Sequence, residues 1–561
     1  MRHICALLLL ASLWGLPQVG IAATAPRTDL PHFEQRGAAT QLIVDGKPFL
    51  VLGGEVKNSS TSNLVHFSRK WPLLVRDNLN TILVPVAWET IEPVEGQFDF
   101  SNVDGLIKGA RDHDLRLVFL WFGTWKNTFS SYVPSWVKRD TKRFPRMQTA
   151  DGRGTERISA LSTTARDADA RAFAQLMRHL KAVDGARQTV LMVQVENEVG
   201  VIPESRDHAP DAEAAFAGPV PAELMTYLTA HRAILNPQLR AAWEANGGRT
   251  SGSWTDVFGG EGMTDSLFMS WSYARYIDHV AAAGKAEYAL PMFTNAALIR
   301  PNYEPGQYNS GGPLPFAMDL WKAGAPALDF LAPDIYFDNY AYWASQYRRP
   351  DNVLFVPEAR GGAIGAANAL YTFGALKGFG FSPFGIDERG VQLAGDPSVG
   401  LGTGGDGDPV IGALYGQLEQ LAPLVLEKQA EGKISTVIME GSAQRSGRGR
   451  IGDYMVNMAR ANGPDGNVDP DSRVAAMFLQ TGPDEFIVLG AGDMQVSFTT
   501  DRPGPPIVGI ESIDEQVLKD GTMSAGRRLN GDENGQGQSL RLSSSDAAEN
   551  KVYRVRLYRY R

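Results

Sequence analysis

The chain has 561 residues, 43% hydrophobic and 21% charged, with 54 Lys+Arg against 63 Asp+Glu and a formal net charge of −9. That composition excludes a disordered or fibrous chain, and its mild acidity supplies no electrostatic footprint for nucleic acid or an anionic membrane. A single cysteine excludes a disulfide framework, and eight scattered histidines without a His-Glu-x-x-His spacing give no signature of a metal-dependent hydrolase, so no cofactor is expected.

Arg2 and His3 precede an apolar run over residues 4–16, and the small residues Gly20, Ala22, Ala23 and Ala25 follow. This is the layout of a secretory signal peptide, and the run is shorter than the roughly 20 residues of a membrane span. Removal of residues 1–22 would take Cys5 with it. The expectation is an exported protein, periplasmic or secreted, with no membrane insertion after cleavage. From residue 38 short β-branched or aromatic runs alternate with helical stretches, which predicts parallel strands joined by crossover helices. Eight candidate strands fall at 49–53, 81–85, 117–121, 190–195, 292–295, 331–336, 353–357 and 378–381. Between the first two, Phe67, Trp71, Leu74, Val75 and Asn78 recur near a 3.6-residue period and predict a helix. Eight such units within 38–432 predict a (β/α)8 TIM barrel, with an insertion at about 200–290 that is too long for one crossover. Residues 433–561 instead show short alternating runs separated by Gly, Asn, Asp and Ser, which predicts a C-terminal β-sandwich-like domain.

In such a barrel the reacting groups stand at the C-terminal ends of the strands. The fourth apolar run stops at Glu196-Asn197-Glu198 and the seventh at Pro357-Glu358. A carboxylate closing a buried strand is either paired structurally or placed for function, and two of them facing each other across a barrel mouth meet the requirement of glycoside hydrolysis. By strand alternation Glu196 and Glu198 share a face, so the residues alone leave either as the acid. Glu55 and Asn58 follow the first strand and are candidates for binding hydroxyl groups. Among the tryptophans near strand ends, Trp88, Trp121, Trp125, Trp136 and Trp271 are candidate platforms for the C–H faces of a sugar. Other patterns carry less. Gly402-x-Gly404-x-x-Gly407 matches a dinucleotide pattern but follows no strand, no Gly-x-Ser-x-Gly elbow is present, and Asp112-His113-Asp114 precedes the third strand at the wrong end for catalysis.

Gln194-Val195-Glu196-Asn197-Glu198 resembles the acid/base signature of glycoside hydrolase family 35, the β-galactosidases. Leu52-Gly53-Gly54-Glu55, the stretch 80–89, Glu92-Pro93-x-x-Gly96-x-Phe98-Asp99-Phe100 and Val133-Pro134-Ser135-Trp136 are similar to the opening of that family. The resemblance covers about residues 40–390. It implies a retaining exo-β-galactosidase, with Glu198 as acid/base, Asn197 bonding the sugar 2-hydroxyl, Glu358 as nucleophile and Tyr336 bonding the nucleophile. It also implies a terminal β-galactosyl substrate on an oligosaccharide or plant polysaccharide side chain, xyloglucan among them. Two departures stand out. Many members carry an Ala-Glu pair after strand three, where this chain has Trp125-Lys126-Asn127, so Lys126 and Asn127 are expected to substitute. The surroundings of Glu358, Pro357-Glu358-Ala359-Arg360, differ as well. The competing expectations are a related barrel glycosidase acting on another β-glycoside and a non-catalytic carbohydrate-binding barrel.

Overall fold

The computed structural model describes residues 29–260, 262–299, 302–387, 407–461 and 472–561. The expected leader at 1–22, with Cys5, lies outside the described residues, as do Gly402 and Gly404. Eight strands close a parallel barrel: β1 (Val51–Glu55), β2 (Thr81–Ala87), β3 (Arg116–Lys126), β4 (Val190–Asn197), β5 (Met292–Ala297), β6 (Phe330–Ile335), β7 (Phe355–Ala359) and β8 (Gly380–Pro383). Each pairs with the next, and β8 closes on β1. The strands are legible as continuous apolar runs because helices cover the outside while side chains fill the inside, so neither face meets water. All eight predicted runs overlap these strands, the runs 49–53, 353–357 and 378–381 each starting two residues early. The first is shifted, because Lys47–Phe49 pairs with Ala39–Val44 in a separate three-stranded antiparallel sheet that starts at His32–Arg36. That sheet plugs the N-terminal end of the barrel. Phe33 meets Phe330 and Phe379 edge-on, and Leu42 and Val44 join the same cluster as Phe293 and Phe355. The opposite, C-terminal end carries no such plug among the described residues.

Five long helices brace the ring: α1 (Ser101–Asp112), α2 (Thr163–Asp184), α3 (Met263–Glu287), α4 (Gly362–Gly374) and α5 (Pro409–Glu431). The helix expected near 67–78 is instead two short pieces, Leu64–Phe67 and Trp71–Arg76; Phe67, Trp71 and Leu74 are buried as the period requires, while Val75 is exposed. The insertion is shorter than expected. Four short helices between Pro210 and Phe258 form it, whereas α3 is the crossover between β4 and β5, laid along α2. Gly284 permits that contact, since a Cβ there would lie 2.3 Å from the Phe173 ring. Among the described residues no helix is long and apolar enough to cross a membrane.

The C-terminal region folds into a six-stranded and a four-stranded antiparallel sheet enclosing their own core, in which the Phe486 ring stacks on Phe498. α5 serves both halves. Tyr415 donates to the Gly53 and Phe381 carbonyls at 3.1 and 2.8 Å, tying β1 to β8, and Gln417 donates to the Lys551 carbonyl at 2.7 Å. The buried Arg473 completes the junction by donating to Asn368 Oδ1 on α4 and to the Asp338 carbonyl, each at 2.7 Å.

Candidate active site

The end of β4 does not continue as a flat strand. Glu196 has φ 62° and Glu198 has φ 45°, left-handed conformations that cost a non-glycine residue on the order of 1 kcal/mol or more each. They break the alternation, so the two glutamates do not share a face. Glu196 turns outward and accepts from the backbone N–H groups of Thr124 and Trp125 at 3.0 and 2.6 Å, against Asp169 of α2. Asp169 in turn accepts from the Trp121 indole and the Thr124 hydroxyl at 2.8 and 2.7 Å. Burial, and then the Asp169 charge, push the Glu196 carboxyl well above the ordinary range. Gly123 makes room, for a Cβ there would lie 2.5 Å from Glu196 Oε1.

Glu198 turns into the mouth instead. Its N–H donates to Asn295 Oδ1 at 2.9 Å, at the end of β5, and the Asn295 amide donates to Asp334 Oδ2 at 2.6 Å. On the neighbouring strands Asp334 of β6 stands in register with Glu358 of β7. Carboxyl oxygens of Glu198, Asp334 and Glu358 lie within 4.8 Å of one another. Tyr336, two residues beyond Asp334 and therefore on the same face, donates to Glu358 Oε1 at 2.5 Å, and Oε2 is buried without a partner. Across the mouth Lys126 donates to Asn197 Oδ1 at 2.8 Å, which leaves the buried Asn197 amide nitrogen free to donate.

One ammonium thus faces four buried carboxyl groups, those of Glu55, Glu198, Asp334 and Glu358. Burial works against the Lys126 charge, but these carboxylates outweigh it and hold the ammonium above its ordinary pKa. Burial, reinforced by Glu358, pushes Glu55 well up. Glu358 is pushed up to about 7, chiefly by burial and by Glu198, with Lys126 and the Tyr336 hydroxyl opposing. Among the described residues Glu198, Asp334 and Glu358 are the trio close enough to grip a cation, but Lys126 already supplies a positive charge to the same groups. The arrangement suits proton transfer beside a fixed anion.

Six of the predicted residues, Glu55, Lys126, Asn197, Glu198, Tyr336 and Glu358, are brought together here. Asn127 is exposed at the rim with φ 48°, and only its backbone N–H engages the site, donating to the Asn197 carbonyl at 3.2 Å. Asn58 is half-buried beyond β1 with its Oδ1 enclosed and unpartnered. Trp125 is not a sugar platform. It is fully buried, donates to the Ile158 carbonyl at 3.1 Å and is wedged edge-on against Tyr273 and Tyr276, because the irregular end of β3 turns it toward α3. Trp88 and Trp121 are equally enclosed. Asp334 and Asn295 were not anticipated. The signal for Asp334 lay in Pro333-Asp334-Ile335-Tyr336, where stepping back two residues from Tyr336 along a strand reaches it.

A pH dependence follows from Glu358. In the nucleophile role that the resemblance implies, a carboxyl held up at about 7 gives a kcat/KM that falls as pH drops through that value. Tyr336→Phe removes a hydrogen bond to the ionised form, of a kind contributing about 1.5–3 kcal/mol, so the acidic limb is expected to move up by about one to two pH units. A pH–rate profile of the variant with an unmoved limb would contradict this.

Residues 69–258 match the family described as beta-galactosidase, glycoside hydrolase family 42, and residues 411–541 match a family described as a domain of unknown function, DUF5597. The second match begins inside α5, in keeping with that helix serving both halves. A beta-galactosidase of Xanthomonas manihotis is 29% identical over 231 residues, 38% of this chain and 34% of that enzyme. Among solved structures, a beta-galactosidase from Bacillus circulans sp. alkalophilus aligns with a TM-score of 0.45 at 14% identity, over 67% of this chain and 57% of that one. The catalytic domain of a beta-amylase from Paenibacillus polymyxa aligns with a TM-score of 0.41 at 14% identity, over 63% and 94%. The chain therefore spans about a third of the curated relative it matches. The matching family is 42, where the motifs resembled family 35; over residues 69–258, which hold β2 to β4, the chain is similar to β-galactosidases.

Proposed function

We propose that the chain is a retaining exo-β-galactosidase that releases terminal non-reducing β-D-galactosyl residues from oligosaccharides or plant polysaccharide side chains, xyloglucan among them. The observation that carries this reading is the convergence of Glu198 and Glu358, with carboxyl oxygens within 4.8 Å. Retaining enzymes hold their two carboxyls about 5–5.5 Å apart, whereas inverting enzymes need roughly 6.5–9.5 Å to admit a water. Glu198 gives its proton to the glycosidic oxygen as the bond to the anomeric carbon breaks. Glu358 attacks that carbon from the opposite face and forms a glycosyl ester, and the alcohol leaves. A water then gives its proton to Glu198, bonds to the anomeric carbon and displaces Glu358. The free amide nitrogen of Asn197, oriented by Lys126, is suited to the sugar 2-hydroxyl, where a hydrogen bond strengthens in the oxocarbenium-like transition state. The motifs at 194–198 and 80–100 favour family 35 chemistry, the family match favours galactose, and the leader-like segment at 1–22 favours export.

Initial rates on nitrophenyl β-galactoside, β-glucoside, β-mannoside and α-arabinoside test the sugar. The galactoside is expected to be fastest, with the β-anomer of galactose as first product by proton NMR. Negligible galactoside turnover beside rapid turnover of another glycoside would refute the sugar, and an α-anomer as first product would refute retention.

A further inference from the structure

If Glu55, Glu198, Asp334 and Glu358 were all ionised around Lys126, three negative charges would stand uncompensated in a buried site, at several kcal/mol per ion. Protons must therefore reside there, and the geometry of Asp334 fixes the position of one. Its Oδ2 accepts from the Asn295 amide at 2.6 Å, and that amide cannot turn over, because its own oxygen takes the Glu198 N–H. The other oxygen, Oδ1, is enclosed without a hydrogen-bond partner among the described residues, and carboxyl oxygens of Asp334, Glu198 and Glu358 lie within 4.8 Å of one another. An unpartnered carboxylate oxygen buried in such a cluster is costly, and a proton on Oδ1 turns it into a donor.

We infer that Asp334 remains protonated through the reaction and positions Glu198, donating from Oδ1 to the Glu198 carboxylate once that group has given up its proton to the leaving oxygen. The Asp334 proton is shared and never transferred, so the hydrogen bond strengthens as Glu198 becomes anionic and weakens when water restores the Glu198 proton. Burial, then the charges of Glu358, Glu198 and Glu55, push Asp334 well above the ordinary carboxylate range. A neutral acid held in this way donates a hydrogen bond where an ordinary aspartate would repel. Asp334 is thus a positioning residue, and its role rests on Glu198 being the acid/base.

The test compares Asp334→Asn with Asp334→Ala in pH profiles of kcat/KM on nitrophenyl β-galactoside. Asparagine keeps a donor and no charge, so its variant is expected to stay within several-fold of the wild type, with an unmoved alkaline limb. The alanine variant is expected to lose roughly ten- to a hundredfold, with the alkaline limb moved up because ionised Glu198 has lost its donor. An alkaline limb lowered by about a unit in the asparagine variant would mean that Asp334 carried charge, and equal losses in both variants with unmoved limbs would mean packing alone; either overturns the inference. Should the alanine variant fail to fold, as judged by thermal unfolding, the asparagine profile decides. An infrared difference spectrum between the wild type and Asp334→Asn at pH 7 provides a readout independent of turnover: one neutral carboxylic-acid component, distinct from those of the other raised carboxyls, should be lost in the variant, and a difference spectrum without that loss would also overturn the inference. A wild-type enzyme without activity on any glycoside would count against the proposed function, while the infrared band would still report on Asp334.

Discussion

Glu358→Gly is expected to lower turnover of nitrophenyl β-galactoside by on the order of 10³-fold or more, and azide is expected to restore part of it. The loss follows from the proposed role, since among the described residues no other carboxylate in the mouth is both hydrogen-bonded by a tyrosine and left with an unpartnered oxygen. Asp334 and Glu55 are held well above the ordinary range, Glu196 faces α2, and Glu198 is the proposed proton donor. Rescue follows from the geometry. Glycine opens a space beside the Tyr336 hydroxyl and the Lys126 ammonium, two groups already disposed toward an anion. Azide entering there would attack the face that Glu358 had covered, so the product should be the α-galactosyl azide, identifiable by NMR. Activity of the variant within tenfold of the wild type, or a rescued product of β configuration, would remove Glu358 from the nucleophile role.

The barrel was legible because parallel strands covered on both faces must be apolar throughout, and a charge that ends such a run is conspicuous. The candidates Glu196, Glu198 and Glu358 stood out in that way, and the preference for Glu198 over Glu196 came from the family resemblance. What escaped was set by backbone irregularity and by distant packing. The left-handed residues at 196 and 198 leave no mark in composition, so the alternation that made the strands legible also placed Glu196 on the wrong face. Trp125 was misplaced for a related reason, since pairing between β3 and β4 slips between Trp121 and Lys126 and turns the indole outward. The plug of the barrel floor depends on Phe33 reaching Phe330 and Phe379, some 300 residues away. Asp334 hid inside an otherwise apolar strand, and its meaning appears only when β7 places Glu358 beside it.

The separation of Glu196 from Glu198 yields the second large effect. Glu198→Ala is expected to lower kcat/KM for galactosides with poor leaving groups, such as the methyl glycoside or lactose, by about 10²–10⁴-fold, the usual contribution of a positioned general acid. With dinitrophenyl β-galactoside, whose leaving group needs no proton, formation of the glycosyl ester should be nearly unaffected. Its hydrolysis should become limiting, because the base that activates water is gone, and a burst of dinitrophenolate should appear. Glu196→Gln should behave in the opposite manner. Gln can still donate to Asp169 and accept from the Trp125 N–H, but its amide nitrogen would oppose the Thr124 N–H, which would keep only its longer bond to Asp169 Oδ2 at 3.2 Å. A lost hydrogen bond of this buried kind costs about 1–3 kcal/mol, so the variant should unfold at lower temperature while its rates on both classes of substrate stay within several-fold of wild type. The two glutamates are thereby separated by independent measurements, leaving-group dependence for one and thermal unfolding for the other. A leaving-group dependence that followed Glu196 instead would reverse the assignment and with it the reading of the backbone turn at the end of β4.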